Sequence, residues 1–239
     1  MHPLDNVIWN ALTTRQAEFA ESCDQARRFI PKITSLSAFL EPTARGYESL
    51  KGLVSTGGTI ALFLAVPHEP HPGWSFVAGT SMPQMVYEDG TGNAGLRWDD
   101  NRARLSSHEA NPEIVELGAS DVPEMLELTA LTKPGPFNKR TRELGTYLGI
   151  RRDGKLVAMA GERLKVPGYT EVSAVCTHPE HTGHGYARIL MAEVMQRIRS
   201  RGETPFLHVR EDNVRAIGLY HRLGFKQRVL SQLAVLRKE

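Results

Sequence analysis

The stretch HPEHTGHGYARIL, residues 178–190, joins a segment of alternating residues to a segment with helical spacing. The strand-like segment YTEVSAVCT (169–177) precedes it, and apolar residues at helical spacing continue after it as far as Ile198. Gly183 and Gly185 remove side chains where the helix begins, so backbone N–H groups there can face an anion. The stretch therefore predicts a strand, a glycine turn that can hold a phosphate group, and a helix.

A metal site is an alternative interpretation of the same stretch. Cys176, His178, His181 and His184 are residue types that bind zinc. The proline and glycines among them indicate a loop, however, in which a spacing of three does not bring the rings together, and surface histidines are the simpler interpretation. Arg188 stands where a dinucleotide-binding G-x-G-x-x-G motif needs its last glycine, and no P-loop is present. A pyrophosphate held by backbone N–H groups remains open, and no metal is expected.

The composition is that of a globular protein and excludes several classes. The chain has 239 residues, 41% of them hydrophobic, and a formal net charge of +2, so nothing in its charge demands a nucleic acid partner. No apolar run is long enough to span a membrane, and the amino terminus lacks the pattern of a secretory signal. Cys23 and Cys176 are the only cysteines and are expected to stay reduced. We therefore expect a cytoplasmic protein, for which a homodimer remains open.

The pattern along the chain predicts two domains. The polar segment 99–112 ends in proline and has no clear period, which is typical of a domain boundary. Residues 1–112 are expected to form an amino-terminal α/β domain, in which residues 6–22 have the spacing of a first helix. Residues 113–239 are expected to form an α/β (α+β) domain with a mixed central sheet flanked by helices.

The second half shows clear local signals. Asp153-Gly154 separates two strand-like segments and predicts a tight hairpin turn. Residues 213–224 have the spacing of a helix, and Gly224 stands where a left-handed residue would end it. A last strand is expected from residue 225 onward.

These residues resemble a known family. Residues 113–237 are similar to the GNAT superfamily, the acetyl-coenzyme A-dependent N-acetyltransferases. TGHGYA (182–187) matches the superfamily's phosphate motif, [QR]-x-x-G-x-[GA], except at its first position. A second signature, on a helix that ends in Gly-Phe, is present as Asn213, Ala216, Tyr220, Gly224 and Phe225. The closer resemblance is to the branch with glycine N-acyltransferase-like proteins, which implies that residues 1–112 form a degenerate copy of the same fold.

The resemblance implies acetyl-coenzyme A (acetyl-CoA) as co-substrate and assigns residues to its binding. The backbone of the strand before the motif would separate from its neighbour and pair with the pantetheine, while the motif turn would hold the pyrophosphate. The residues implied are Val175, Cys176, Thr177, Thr182, Gly183, His184, Gly185, Tyr186, Ala187, Asn213 and Tyr220. Thr182 replaces the usual Gln or Arg, so weaker charge pairing with the phosphates is expected, and His184 can add positive charge below neutral pH.

Acyl transfer to an amine needs a proton acceptor and a proton donor. An alkyl ammonium has a pKa of about 10, so a general base has to remove a proton before attack. Glu171 is the candidate, since it lies eleven residues before Thr182, where histone-acetylating members of the superfamily carry a catalytic Glu. Glu162 and His178 are reserves, and a solvated Glu171 remains an open alternative.

Tyr220 is the candidate acid that protonates the departing thiolate, and the alternative for it is a core aromatic residue. Cys176 has no assignable histidine partner, so a buried residue is favoured over an acyl-carrying nucleophile. TKPGPF (132–137), with Arg140 and Arg142, falls where the superfamily has its acceptor-binding loop. Arginines there suit a carboxylate-bearing acceptor such as an amino acid, although exposed helix charges explain them equally well.

The leading hypothesis is an enzyme that transfers an acetyl or acyl group from acetyl-CoA to a primary amine. The acceptor would be an amino acid or another small molecule, and attack would be direct within a ternary complex. A catalytically silent acyl-CoA-binding regulatory protein is the second hypothesis, and a zinc-binding interaction module is the third.

Overall fold

The computed structural model describes residues 2–88 and 112–239. Within this part of the chain the helices are α1 (Val7–Thr13), α2 (Ala44–Lys51), α3 (Val122–Thr132), α4 (Tyr186–Ser200) and α5 (Val214–Arg222). The strands are β1 (Ala20–Cys23), β2 (Ala26–Phe29), β3 (Ser37–Phe39), β4 (Thr59–Leu64), β5 (Trp74–Tyr87), β6 (Ile114–Glu116), β7 (Tyr147–Arg152), β8 (Lys155–Val166), β9 (Tyr169–Thr177), β10 (Thr204–His208) and β11 (Phe225–Lys238).

Eight strands form one mixed sheet, in the order β4-β11-β5-β10-β9-β8-β7-β6. The β9–β10 pair is parallel and the other pairs are antiparallel. The predicted mixed sheet flanked by helices is therefore confirmed. Strands β4 and β5 belong to the first half of the chain, so both halves contribute to this sheet, while β1–β3 form a small separate one. The predicted boundary segment lies outside the described residues except for Pro112, and the division into two domains stays a prediction.

Apolar side chains cover both faces of the large sheet. Phe206 and Leu207 are consecutive in β10 and therefore point to opposite faces. Leu207 lies in the cluster that includes the apolar face of α4, and Phe206 lies in the cluster formed with α1. Helix α3 packs near the α1 face through Met125 and Leu128. No helix in residues 2–88 and 112–239 has the length and apolar character needed to cross a membrane.

Local sequence explains two turns in the second half of the chain. Asp153 and Gly154 have φ of 50° and 79°, as a tight hairpin turn between β7 and β8 requires. Gly224 has φ of 93° just after α5, where only a glycine adopts this conformation without strain. Both predicted turns are confirmed.

The predicted helix over residues 6–22 is wrong in its second half. Helix α1 ends at Thr13, and residues 20–23 form strand β1 instead. The Thr13 hydroxyl donates to the Trp9 carbonyl at 2.8 Å. Phe19, the apolar position that suggested a longer helix, lies in a short 3-10 turn (Ala17–Phe19), and β1 follows it and pairs with β2 in antiparallel register. Tertiary pairing thus overrides the helical spacing.

Candidate active site

The main feature of the site is an opening between β9 and β10. Their parallel pairing covers Thr204–Phe206 against Tyr169–Glu171 and then stops. Strand β9 continues to Thr177, where it pairs only with β8, while the end of β10 pairs with β5. We call the space between β9 residues 172–177 and the end of β10 the slot. Its main-chain groups on the β10 side of β9 are available to a strand-like ligand such as pantetheine.

A bulge in β9 bends the strand beside the slot. Ala174 has φ of 52°, which is rare for a residue with a side chain. The register between β8 and β9 shifts at the same place, because Met159 faces Cys176 whereas Gly161 faces Ser173. A bulge increases twist and interrupts regular pairing. The β9–β10 pairing ends at Glu171 and Phe206, so Val175–Thr177 have no paired residue on β10, and their role in pantetheine binding stays a prediction.

A glycine turn follows β9 and leads into α4. Gly183 and Gly185 have φ of 90° and 76°, and a Cβ added to Gly183 would meet no atom within 4 Å. The first turn of a helix has N–H groups without partners in the helix and a partial positive charge. Open space beside bare backbone at this helix start fits the approach of a phosphate group, and the role of the turn in pyrophosphate binding stays a prediction.

The polar side chains of this turn contact groups within the turn and so stabilise its conformation. The Thr182 hydroxyl donates to the Pro179 carbonyl at 3.1 Å. The His178 ring accepts from the Glu180 N–H at 3.3 Å, and the His184 ring stacks on Tyr186 with centroids 5.4 Å apart. In the described part of the chain, no three His, Cys, Asp or Glu side chains form a group that could hold a metal ion.

Asn213 and Tyr220 belong to α5, the helix that follows β10 in the chain. The Asn213 side chain accepts from the Ala216 N–H at 3.1 Å and so caps the helix. Tyr220 is 8% exposed, and its ring lies 6.1 Å from that of Phe225. Burial raises the pKa of Tyr220 to about 12, so the phenol keeps its proton at neutral pH and is not a base there. The predicted acid role of Tyr220 stays a prediction.

Cys176 is a buried thiol in the core beside α3. Burial raises the pKa of Cys176 to about 11, against the opposing effect of hydrogen bonds with Thr132 and the Met159 backbone. The nucleophilic form of cysteine is the thiolate. A protonated thiol in this position favours the interpretation of Cys176 as a packing residue.

Glu171, the predicted base, lies in the interior, where Arg163, His208 and the Leu164 N–H contact its carboxylate. Its carboxylate accepts from the Arg163 guanidinium at 2.7 and 2.8 Å, and lies 2.7 Å from His208 Nδ1. Burial alone would raise the pKa of Glu171, but the charge of Arg163 and the hydrogen bonds from Arg163 and His208 lower it to about 2. A carboxylate with this pKa is a poor proton acceptor at neutral pH. The geometry therefore argues against a general-base role for Glu171, which stays an untested prediction.

Glu162 and His178, the two reserve candidates for the base, also have protein partners. Glu162 is 1% exposed and forms ion pairs with Lys165 at 2.9 Å and with Arg201 at 2.7 Å. His178 caps the turn after β9, as described above.

Three residues near Glu171 were not predicted as part of the site: Arg163, His208 and Gln84. The carboxylate of Glu171 can only accept, so His208 Nδ1 carries the hydrogen of their bond, and His208 Nε2 accepts from the Gln84 amide at 3.2 Å. Each residue lies on a different strand, so only the strand register could have revealed them. Bulges between Met159 and Lys165 shift that register, and local patterning does not show them.

The predicted acceptor loop is tied to the first half of the chain. The Asn138 amide donates to the Pro31 carbonyl at 3.1 Å, and the Arg140 N–H donates to the Lys32 carbonyl at 3.3 Å. The Thr141 hydroxyl donates to the Ile33 carbonyl. The Arg140 guanidinium pairs with Glu143 at 2.7 Å, so an acceptor carboxylate would have to compete with that partner.

Comparison with known proteins identifies the class. The family model described as FR47-like protein matches residues 147–234. The N-alpha-acetyltransferase RimI of Mycobacterium tuberculosis is 34% identical over 132 residues, which cover 49% of this chain and 82% of that protein. A solved structure of a putative GNAT-family acetyltransferase from Novosphingobium aromaticivorans is 35% identical, with a TM-score of 0.86 and all of both chains covered. A GCN5-related N-acetyltransferase from Kribbella flavida shares the fold, with 15% identity, a TM-score of 0.61, and coverage of 98% of this chain and 93% of that one.

The opened mixed sheet, with its glycine turn at a helix start, thus occurs in a chain whose relatives are acetyltransferases. The chain belongs to the GNAT superfamily of N-acetyltransferases and is an acetyl-CoA-dependent acyltransferase. The predicted family and enzyme class are confirmed. The closer resemblance to glycine N-acyltransferase-like proteins stays a prediction.

Proposed function

We propose that the protein acetylates the α-amino group of an amino acid or of a peptide, by direct attack on acetyl-CoA in a ternary complex. The observation that carries the proposal is the slot beside the glycine turn. The backbone of Val175, Cys176 and Thr177 would pair with the pantetheine, and the turn from Thr182 to Ala187 would hold the pyrophosphate. Asn213 and Tyr220 would complete the cofactor contacts, and Tyr220 would protonate the departing thiolate.

Two observations support direct attack on an α-amine. The protonated, buried Cys176 thiol does not suit an acyl-enzyme intermediate. The ion pair of Glu171 with Arg163 leaves the site without that carboxylate as a base at neutral pH. The α-amine at the amino terminus of a peptide, with a pKa near 8, is about one-fifth neutral at pH 7.4, whereas only about one lysine side chain in a thousand is neutral. The α-amine therefore needs the least help from a base.

The acceptor is tested with a matched panel of amines and a measurement of coenzyme A release. Free amino acids and short peptides with a free amino terminus are expected to stimulate thiol release. The same peptides with a blocked amino terminus and a free lysine are expected to be inactive. Acetylation of the lysine at a comparable rate would contradict the choice of the α-amine.

A catalytically silent acyl-CoA-binding protein is the second candidate, because the residue expected to act as base is locked in an ion pair. Calorimetry with coenzyme A, combined with the same panel, separates the two candidates. Binding without thiol release for any α-amine would favour the silent protein. Absence of binding at millimolar coenzyme A would contradict both.

A further inference from the structure

A row of polar side chains crosses the sheet at the end of the slot where the pairing of β9 with β10 stops. It takes one residue from each of five neighbouring strands, in the sheet order β8, β9, β10, β5 and β11. We call this set the polar row, and its members are Arg163, Glu171, His208, Gln84 and Arg228.

Each member of the polar row bonds to the next. The Arg163 guanidinium donates two hydrogen bonds to the Glu171 carboxylate, at 2.7 and 2.8 Å, and the same carboxylate lies 2.7 Å from His208 Nδ1. The Gln84 amide nitrogen lies 3.2 Å from His208 Nε2, and the Gln84 oxygen accepts from Arg228 at 2.9 Å. The row is thus a continuous side-chain link across the sheet.

The charges of the polar row are balanced. Glu171 offsets Arg163, and Asp5 forms an ion pair with Arg228 at the other end. Gln84, the member between His208 and Arg228, carries no charge. The polar row can therefore be buried on the sheet without leaving a charge unpaired.

The position of the row relates it to the slot. The last main-chain pair between β9 and β10 joins Glu171 to Phe206, and His208 lies two residues further along β10. The Glu171–His208 bond therefore connects the two strands at the point where their backbone pairing ends. Ala174, with its left-handed backbone, bends β9 three residues later.

We propose that the polar row sets the separation of β9 and β10 and so the width of the acetyl-CoA slot. Glu171 is then a positioning residue that takes no proton from the acceptor. Two facts support this role over a proton-accepting one. The side chains of Glu171 and His208 are both 0% exposed, and each of their polar atoms named above already has a protein partner. Buried ion pairs add little net stability compared with apolar side chains, so a geometric role accounts for their presence. The inference rests on the proposed function, since it concerns the slot for acetyl-CoA.

The test measures coenzyme A binding by calorimetry and steady-state kinetics on the full chain. The double variant Arg163→Met/Glu171→Met removes both charges together, and His208→Phe breaks the link between β9 and β10 while leaving the Arg163–Glu171 pair intact. Both are expected to weaken coenzyme A binding about tenfold or more, with kcat at saturating acetyl-CoA lowered about threefold at most. The shape of the pH–rate profile is expected to stay that of the parent.

Arg151→Met is the matched control, because Arg151 lies on β7, away from the slot, and the change removes its ion pairs with Asp121 and Glu124. Its coenzyme A affinity is expected to equal that of the parent. The inference is overturned if Glu171→Gln keeps the parent's coenzyme A affinity, loses most of kcat and loses the acid limb of the profile. It is also overturned if His208→Phe, which serves if the double variant does not fold, binds coenzyme A as the parent does. A parent that fails to bind coenzyme A would instead contradict the proposed function.

Discussion

At the scale of single residues, burial decides the protonation state of the groups around the slot. Tyr220 and Cys176 keep their protons because the charged form of each is poorly solvated in the core. Glu171 loses its proton although it is buried, because Arg163 lies against it. The same side-chain types on the surface would behave differently, so position in the sheet determines what each group can do.

Replacement of Tyr220 by Phe tests the acid role. We expect kcat to fall about a hundredfold, since general acid catalysis contributes roughly 10²–10⁴ in rate, while coenzyme A affinity stays close to that of the parent. The measurement is kcat at saturating substrates, together with calorimetry. Tyr87→Phe is the control, because Tyr87 also packs against Phe225, at 6.1 Å. Equal activity of Tyr220→Phe and the parent would assign Tyr220 to packing alone.

The Glu171 pair also predicts how stability depends on pH. The folded-state pKa of Glu171 is about 2 and lies below its ordinary value of 4.5, so its stabilisation is complete above the unfolded pKa and is lost as the pH falls toward 2. The parent is therefore expected to lose on the order of 3 kcal/mol more than Arg163→Met/Glu171→Met between pH 5 and 2. Urea unfolding at several pH values measures the difference. Glu116→Gln, which alters an exposed ion pair with Arg197, should follow the parent, and identical slopes for parent and double variant would refute the prediction.

At the scale of elements, α4 has a left-handed glycine at each end, and these two glycines allow the effect on stability to be distinguished from the effect on cofactor binding. Gly185 precedes the helix and Gly202 follows it, and both have φ of 76°. An alanine at either position adopts the left-handed region at a cost of about 1 kcal/mol. Only Gly185 lies in the turn proposed to hold the pyrophosphate.

Gly185→Ala and Gly202→Ala form a matched pair. Both are expected to lower the free energy of unfolding by about 1 kcal/mol, as measured by urea denaturation. Only Gly185→Ala should weaken coenzyme A binding, because its Cβ would stand beside the backbone that meets the phosphates. An equal loss of affinity in both variants would mean that stability, and not the turn, controls binding.

At the scale of the whole molecule, the large sheet joins the two halves of the chain. Strand β5 pairs with both β10 and β11, and β4 pairs with β11. Buried Phe206 of β10 packs in the same cluster as Leu4, Ile8 and Leu12. The second half thus shares its sheet and part of its core with the first.

Residues 113–239 expressed alone are therefore expected not to give a cooperative unfolding transition. The full chain is expected to unfold in a single urea transition that is the same by fluorescence and circular dichroism. The fragment would expose the edges of β10 and β11 and the apolar cluster that packs on α1. A fragment that unfolds cooperatively and binds coenzyme A as the full chain does would show that the halves fold independently.

The sequence predicts the local features of this site better than its cross-strand contacts. Strand β9, the glycine turn and helix α5 follow from alternation, from Gly183 and Gly185, and from helical spacing, all of which are local. The partners of Glu171 do not follow, because Arg163 reaches it through a β8–β9 register that two bulges shift, and His208 reaches it across the parallel β9–β10 pair. The end of α1 was missed for a related reason, since pairing of β1 with β2 depends on residues outside the helical pattern.

Strand β11 lies between β4 and β5 in the sheet, although it is the last strand of the chain. Nearly all of the second half of the chain is therefore synthesised after β4 and β5 and before β11. While the ribosome makes that second half, β4 and β5 have no access to the strand that each pairs with along most of its length. Phe76 and Val77 of β5 remain 59% and 47% exposed even in the folded protein. Non-local pairing of this kind slows folding and leaves apolar strands open to other chains. The growing polypeptide, more than the finished enzyme, is therefore the form that we expect to depend on chaperones.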